Sequence, residues 1–432
     1  MKALIVGSGG REHVLAWTLA RSPRVSQVYV APGNGGTAWA AAPGRAPSQN
    51  VALDVTDLPG LLAFARQAAI DLTVVGPEAP LVAGLVDVFR AQGLRVFGPV
   101  RAAARLEGSK VFAKRFMLDH NIPTGRAVWF TDYQEACAHL RQIGAPIAVK
   151  ADGLAAGKGV AVCSSVAEAE AALHASMVER AFGEAGARVL LEECLTGQEA
   201  SLLAFCDGRT AAAMAVAQDH KAAYDGDRGP NTGGMGCYAP APLMSPARVE
   251  RVRREVLQPV VDGMAALGTP YVGVLYAGLM LDEAGYKVLE FNCRFGDPEA
   301  QVILPLLETD LVEVLEACVD GRLAEVDVRW SAQSATCVVL ASGGYPGAYA
   351  RGKVLSGLDA AGALPGVTVF HAGTRREGGR VRTDGGRVLG VTAVAPTLAA
   401  SVAQAYAGVA EIAFEGAEYR TDIGAKGLAA RG

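Results

Sequence analysis

Short apolar runs at residues 3–6, 27–30, 72–75 and 95–97 alternate with helical patterns that begin near residue 11 and cover 58–68 and 79–90, and each run stops at a turn that carries glycine. The turns read Gly7-Ser8-Gly9-Gly10, Pro32-Gly33-Asn34-Gly35-Gly36, Gly76-Pro77-Glu78 and Gly98-Pro99. Apolar strands separated by helices bury both faces as a parallel sheet, so the pattern predicts an open α/β unit and not a meander or a bundle. Such a sheet gathers its strand-to-helix turns on the carboxyl edge, where open sheets bind ligands. Glycine N–H groups at a helix N-terminus, with Arg11 beside them, suit a single phosphate group. A dinucleotide is disfavoured, because residues 7–12 are not GxGxxG and the second strand ends in Val30-Ala31-Pro32 with no acid for a ribose.

The next segments carry a different chemistry. A helix is expected to begin at Ser109-Lys110, followed after Pro123 by a helix over 133–142, a strand over 146–150, the glycine-rich stretch 151–159, a strand over 160–163 and a helix from 166. Strand, glycine hairpin and strand make a flap. It is no P-loop, since GxxxxGK[ST] is absent and no helix follows the glycines. A mobile cover over polyphosphate fits better, with Gly153, Gly157, Lys158 and Gly159 in the cover. Lys150 ends an apolar strand and needs an anionic partner there. Glu192 and Glu193 end another buried strand, at 189–195, either as a hinge that holds an adenine amine or as a solvated turn. The loop 224–236 is so dense in Gly, Asp and Asn that ordering it demands a ligand, and it is expected outside any core.

The most specific site comes later. Residues 271–281 and 286–293 form a hairpin pattern, and Glu290 and Asn292, two apart, share one face of its second strand. Both offer hard oxygen ligands, the chemistry of a magnesium ion bridging phosphates. Arg294 follows, then Phe295-Gly296-Asp297-Pro298-Glu299, a second anion-handling turn. From about 327 onward the patterns predict a small α+β unit in which His371 is structural.

Bulk properties narrow the partners. With 40 basic against 44 acidic residues there is no polycationic surface for nucleic acid. The eight cysteines contain no CxxC pair and the six histidines are scattered, which argues against structural zinc or a disulfide framework and for a reducing cytoplasm. No signal peptide opens the chain and no apolar stretch suits a membrane span. The 432 residues exceed one ordinary core. They divide into a parallel α/β unit (1–101), a linking helix (102–122), a lid (123–190), a core with the metal site (191–326) and the last α+β unit (327–432). Glycine, 52 of 432 residues, has no collagen period or Gly/Ser linker to absorb it and belongs in folded loops. Only nine of the 40 basic residues are lysines, and four of them (Lys110, Lys150, Lys158 and Lys221) fall in these segments.

Lysines to cradle phosphates, a glycine flap, a carboxylate and amide for Mg2+ and a nearby arginine amount to an ATP site without a Walker signature. Kinase motifs are missing. A second phosphate-friendly pocket suggests a phosphorylated small molecule beside the nucleotide, hence ligation through an acyl phosphate. The chain resembles the phosphoribosylamine–glycine ligase family of ATP-grasp enzymes nearly end to end. The resemblance rests on VGSGGREH (6–13), VVGPEAPLVAGLVD (74–87), FGP (97–99), LEGSK (106–110), VKADGLAAGKGV (149–160), AQDHK (217–221), GPNTGGMG (229–236), LYAGLM (275–280), LEFNCRFGDPE (289–299) and ASGGYPG (341–347).

That resemblance implies an ATP-grasp fold with a Rossmann-like N-terminal unit and a small C-terminal one, and ligation of glycine to 5-phosphoribosylamine through glycyl phosphate. It places Lys110, Lys150, the 153–159 flap, Glu192, Glu193, Leu195 and Glu199 at ATP, and Glu290 with Asn292 at Mg2+ or Mn2+. Arg294, Lys221 and Asp219, with Asn231, Thr232, Gly233, Gly234 and Asp297, would face the acyl phosphate. Gly9, Gly10, Arg11, Glu12, Asn34 and Glu78 would hold the sugar phosphate. The strand 276–280 lacks a further carboxylate that ATP-grasp enzymes often carry, which leaves water to complete the metal shell. A monomer or weak dimer is expected. The rivals are a sister carboxylate–amine ligase or carboxylase of the same fold, and a non-catalytic nucleotide sensor.

Overall fold

The structure is a computed structural model that describes residues 1–155, 159–283 and 285–430. Its first sheet is parallel, in the order Ser48–Asn50, Gln27–Pro32, Lys2–Gly7, Leu72–Val75, Val96–Phe97. Leu4, Ile5 and Val6 are wholly buried, as strands covered on both faces must be. The helix Gly10–Ala20 opens at the first glycine turn, where Gly7 (φ +133°) leaves room for the Glu12 side chain pressed against it. Three elements depart from expectation. The helix expected over 79–90 is two helices, Glu78–Ala83 and Leu85–Ala91, broken where Gly84 turns left-handed. The strand Ser48–Asn50 was too short and too polar to register, and the linking helix expected over 102–122 is two helices, Arg101–Gly108 and Lys110–Asp119, broken at Ser109.

The linking helix Lys110–Asp119 is capped by Ser109, whose hydroxyl accepts the Phe112 N–H. The lid sheet follows, antiparallel, in the order Ala127–Phe130, Val189–Glu193, Ile147–Ala151, Val160–Cys163. Helices Tyr133–Ile143 and Val166–Met177, capped by Asp132 and Ser165, pack their apolar faces on it through a separate small core. Gly157 and Lys158 lie outside the described residues.

A third sheet contains Ala211–Ala213, Gln198–Asp207, Val272–Leu281 and Tyr286–Asn292, all antiparallel. The last sheet does not follow chain order. Ser334–Ser342, Arg387–Ala395 and Val367–His371 take in Gly236–Ala239 and Gln218–Asp219 from the middle of the chain. This corrects the expectation for the loop 224–236. Its first half is a two-stranded ribbon, Ala222–Tyr224 with Arg228–Asn231, and its second half dives inward so that Met235 is buried. Gly234 (φ +113°) makes that turn, with its α-carbon seated between Asp219 and Pro298.

Candidate active site

The four sheets meet around a cleft of about 560 Å3. Glu290 and Asn292 stand side by side on its wall, as the strand's alternation requires. Burial works against the Glu290 charge, yet Lys221, Lys150, Lys110 and Arg294 outweigh it and hold the carboxyl below its usual pKa. Lys150 reaches the cleft from the end of Ile147–Ala151, where its ammonium donates to Leu289 O at 3.2 Å and lies 2.6 Å from Glu192 Oε2. The other oxygen, Glu192 Oε1, takes Lys114 at 2.6 Å. Lys114 also donates to Thr124 Oγ1 (2.6 Å) and Gly125 O (3.1 Å), which satisfies its three donors. Lys110 donates to Gly153 O at 3.3 Å, tying the linking helix to the root of the flap.

The two adjacent acids are engaged within the protein. Glu192 is 2 % exposed between its two lysines, while Glu193 pairs with Lys287 at 2.8 Å and accepts the Arg126 N–H at 3.0 Å. Neither carboxylate is the open hinge acceptor that adjacency at a strand end suggested, although both residues line the cleft with Cys194 and Leu195. Lys221 pairs with Glu199 at 2.8 Å. Burial opposes the Lys221 charge, but Glu199 and Glu290 raise its pKa above the ordinary lysine value.

Arg294 is held on several sides. It lies 2.9 Å from Glu107 and 3.4 Å from Glu78, and donates to Asn292 Oδ1 at 3.3 Å. Glu107 also accepts the Cys293 N–H at 2.7 Å, so a residue of the helix Arg101–Gly108 fixes the turn that follows the Glu290 strand. Asp219 has the opposite electrostatics to Glu290. Burial and then Glu299 drive its pKa well above the usual carboxylate range, against Lys221 and Arg387. Glu299 itself accepts hydrogen bonds from Tyr276 (2.9 Å) and Ser201 (3.1 Å).

At the parallel sheet's edge, Arg11 and Glu78 line the cleft. Arg11 donates to Phe295 O at 3.1 Å and to Glu12 Oε1 at 2.6 Å. Glu12, 1 % exposed, lies beneath the glycine turn and accepts the Gly9 N–H at 2.5 Å, while Gly9 and Gly10 pack against Asp297 and Gln301. Asn34 donates to Ser8 O (2.9 Å) and His371 O (2.8 Å). Glu12, Asn34, Gly9, Gly10 and Gly234 thus sit behind the wall, as supports. The cleft brings together Arg11, Glu78, Lys110, Lys150, Gly153, Gly159, Glu192, Glu193, Leu195, Glu199, Asp219, Lys221, Asn231, Thr232, Gly233, Glu290, Asn292, Arg294 and Asp297.

Six further residues with charged or hydroxyl side chains line it, among the described residues: Glu107, Lys114, Tyr276, Glu299, Tyr345 and Arg387. Lys114 was signalled by its place one helical turn after Lys110. Arg387 had no local signal. It arrives from the last sheet and donates to Gly233 O (2.7 Å) and Asp297 O (2.6 Å), and the Tyr345 hydroxyl accepts the Gly233 N–H at 3.1 Å. Among the described residues no group of three or more His, Cys, Asp or Glu is placed to hold a metal ion. The Glu290–Asn292 pair, ringed by cations, fits a divalent ion that arrives with phosphate oxygens to balance the charge.

Three family profiles cover most of the chain: phosphoribosylglycinamide synthetase N domain over residues 1–107, ATP-grasp (A) domain over 108–300 and C domain over 335–426. The chain belongs to the phosphoribosylamine–glycine ligase family. The phosphoribosylamine–glycine ligase of Allochromatium vinosum is 55% identical over 99% of both chains, and that of Vibrio cholerae 52% over the same shares. The crystal structure of the phosphoribosylamine–glycine ligase from Thermotoga maritima superposes with a TM-score of 0.83 at 32% identity, covering 98% of this chain and all of that one. The biotin carboxylase domain of Hydrogenobacter thermophilus 2-oxoglutarate carboxylase, at 16% identity and a TM-score of 0.71, shares the fold. The ATP-grasp architecture of this ligase family is therefore the architecture of this chain.

Proposed function

We propose that the protein joins glycine to 5-phosphoribosylamine at the expense of ATP, giving glycinamide ribonucleotide, ADP and phosphate, a step of purine biosynthesis. The observation that carries this is the ring of Lys110, Lys150, Lys221 and Arg294 around an ionised Glu290 in a chain of this family. The glycine carboxylate attacks the γ-phosphorus as the bond to ADP breaks, forming glycyl phosphate. The neutral amine of phosphoribosylamine then attacks the acyl carbon and expels phosphate. Both steps spread negative charge over phosphoryl and acyl oxygens, so positioning and fixed positive charge supply the catalysis.

Lys110 and Lys150 hold ATP phosphates, and the 153–159 flap covers them and keeps water from glycyl phosphate. Glu192 serves by holding Lys114 and Lys150 in place, which leaves adenine to the backbone of residues 193–195. Glu290 and Asn292 hold Mg2+ or Mn2+, which when bound polarises phosphoryl oxygens and screens their charge. Arg294, Lys221 and residues 231–233 face the acyl phosphate, with Asp219, whose pKa burial and Glu299 raise, beside them. Arg11 and Glu78, with Asp297 beside them, take the sugar phosphate.

The working unit we propose is a monomer or weak dimer. No described helix is long and apolar enough to cross a membrane. All eight cysteines are free, the state that a reducing cytoplasm maintains, and that is the compartment we propose. ADP release by the purified protein, with Mg2+ and ATP, is expected only when glycine and phosphoribosylamine are both present. Release independent of either substrate would sink the assignment, and ATP binding without turnover would make the protein a sensor.

A further inference from the structure

The segment 218–236 is a hairpin with two ends of different character. Its base is in the cleft, where Asp219, Lys221, Asn231, Thr232 and Gly233 line the wall and the Thr232 N–H and hydroxyl both donate to Lys221 O at 2.8 Å. Its tip, Asp225-Gly226-Asp227, is exposed in sequence terms and rich in charge, yet it is gripped by a segment nearly two hundred residues later. Arg420, 1 % exposed, sends Nη1 to Ala222 O (3.1 Å) and to Asp227 Oδ1 (3.0 Å), so one guanidinium ties the first strand of the hairpin to its tip. Its Nε and Nη2 clasp both oxygens of Asp422 at 2.7 Å. Asp422 Oδ2 in turn accepts the Gly226 N–H (2.9 Å), Asp225 accepts the Thr421 N–H (2.8 Å), and Lys426 lies 2.5 Å from Asp227. The segment is itself fixed, because the Tyr406 hydroxyl donates to Arg420 O (2.8 Å) and accepts the Ile423 N–H (3.0 Å).

A buried guanidinium with two carboxylate partners is costly to desolvate and is kept where its geometry matters. Nothing in it reaches the cleft. What it controls is the hairpin, a two-stranded ribbon too small to hold its own shape. We propose that Arg420 is a positioning residue: by bolting the tip of the hairpin to the C-terminal segment, it sets where Lys221 and residues 231–233 stand in the cleft, and with them the binding of glycine and the amine but not of nucleotide. This rests on the ligase function proposed above.

Two variants of the full-length protein test it. Asp227→Asn is isosteric, sits at a partly exposed position and leaves the Arg420–Asp422 clasp intact; Arg420→Lys keeps the charge and loses the fork. ATP, glycine and phosphoribosylamine are varied in turn, and hydrogen–deuterium exchange is followed over peptides from 219–236 and from the rest of the chain. The expected result is KM for glycine or the amine raised about tenfold, KM for ATP changed less than about twofold, and faster exchange confined to 219–236. Faster exchange with unmoved KM values, an equal rise for ATP, or unchanged exchange overturns the proposal. Should Arg420→Lys exchange faster everywhere, Asp227→Asn decides. Should the wild-type protein need neither glycine nor the amine, the ligase function fails separately, and absence of localised exchange in the variants still refutes the bolt.

Discussion

Glu290 and Glu192 are both acids among lysines, yet they do different things. Glu290 faces the cleft and stays ionised through four surrounding cations, so Glu290→Gln would remove the proposed metal ligand while keeping the shape. Turnover should fall at least ~10²-fold, with a raised requirement for Mg2+, in protein that unfolds at the wild-type temperature. Unchanged turnover would refute the metal role. Glu192 is buried with each oxygen 2.6 Å from a lysine. Glu192→Gln leaves Lys114 and Lys150 without their counter-charge, a change that costs about 3–5 kcal/mol when a buried pair loses one member. The expected result is a lower denaturation midpoint together with a higher KM for ATP. The need of Lys150 for an anion was legible from its place at the end of an apolar strand. That the anion is Glu192 was not, because ion pairing depends on which strands are neighbours.

At the scale of elements, the turns decide more than the strands. Alternating apolar runs were enough to place the strands Leu72–Val75 and Val160–Cys163 and the helix Leu398–Glu411, since side-chain period is a local property. The hairpin 218–236 shows where local reading ends. Its polarity predicts an exposed loop, but the turn at Gly234 sends Met235 into the core and Gly236–Ala239 into a sheet with Ser334–Ser342. Gly234→Ala would place a methyl 2.5 Å from Pro298 and 2.6 Å from Asp219, at a φ of +113° that side chains rarely adopt. Such strain costs on the order of 1–3 kcal/mol. Loss of activity with a correctly folded circular dichroism spectrum is expected, and full activity would show that the turn does not position Asp219.

Across the whole molecule, the last unit both closes the cleft and latches onto the first. The Arg387 Nη1 donates two of the bonds that hold the cleft turn, to Gly233 O and Asp297 O, so Arg387→Ala, which removes both, should raise KM for the substrates about tenfold, read by steady-state kinetics. The latch is a buried histidine pair, in which the His371 N–H donates to His13 Nδ1 at 2.7 Å. Burial, then Arg376, lowers the His371 pKa from 6.5 to about 4, and burial with His371 lowers that of His13 well below the usual value. The unfolded chain therefore binds more protons than the native one below about pH 6.5, so these histidines subtract stability as pH falls from there toward 4. Wild-type Tm should drop more steeply than that of His371→Asn between about pH 7 and pH 4.5 in calorimetry, and parallel curves would remove the latch from the pH response. From the sequence alone came the strand periods, the glycine turns, the Glu290–Asn292 face and the segments that bring Lys110, Lys150 and Lys221 to the cleft, all set by spacings of a few residues. The tertiary structure alone decided that Glu12 and Asn34 are supports, that Glu192 belongs to two lysines, and that Arg387 bonds to the turn at Gly233 and Arg420 to the hairpin tip, each far from it in sequence, because charge pairing and strand order join segments whose spacing along the chain carries no record of their meeting.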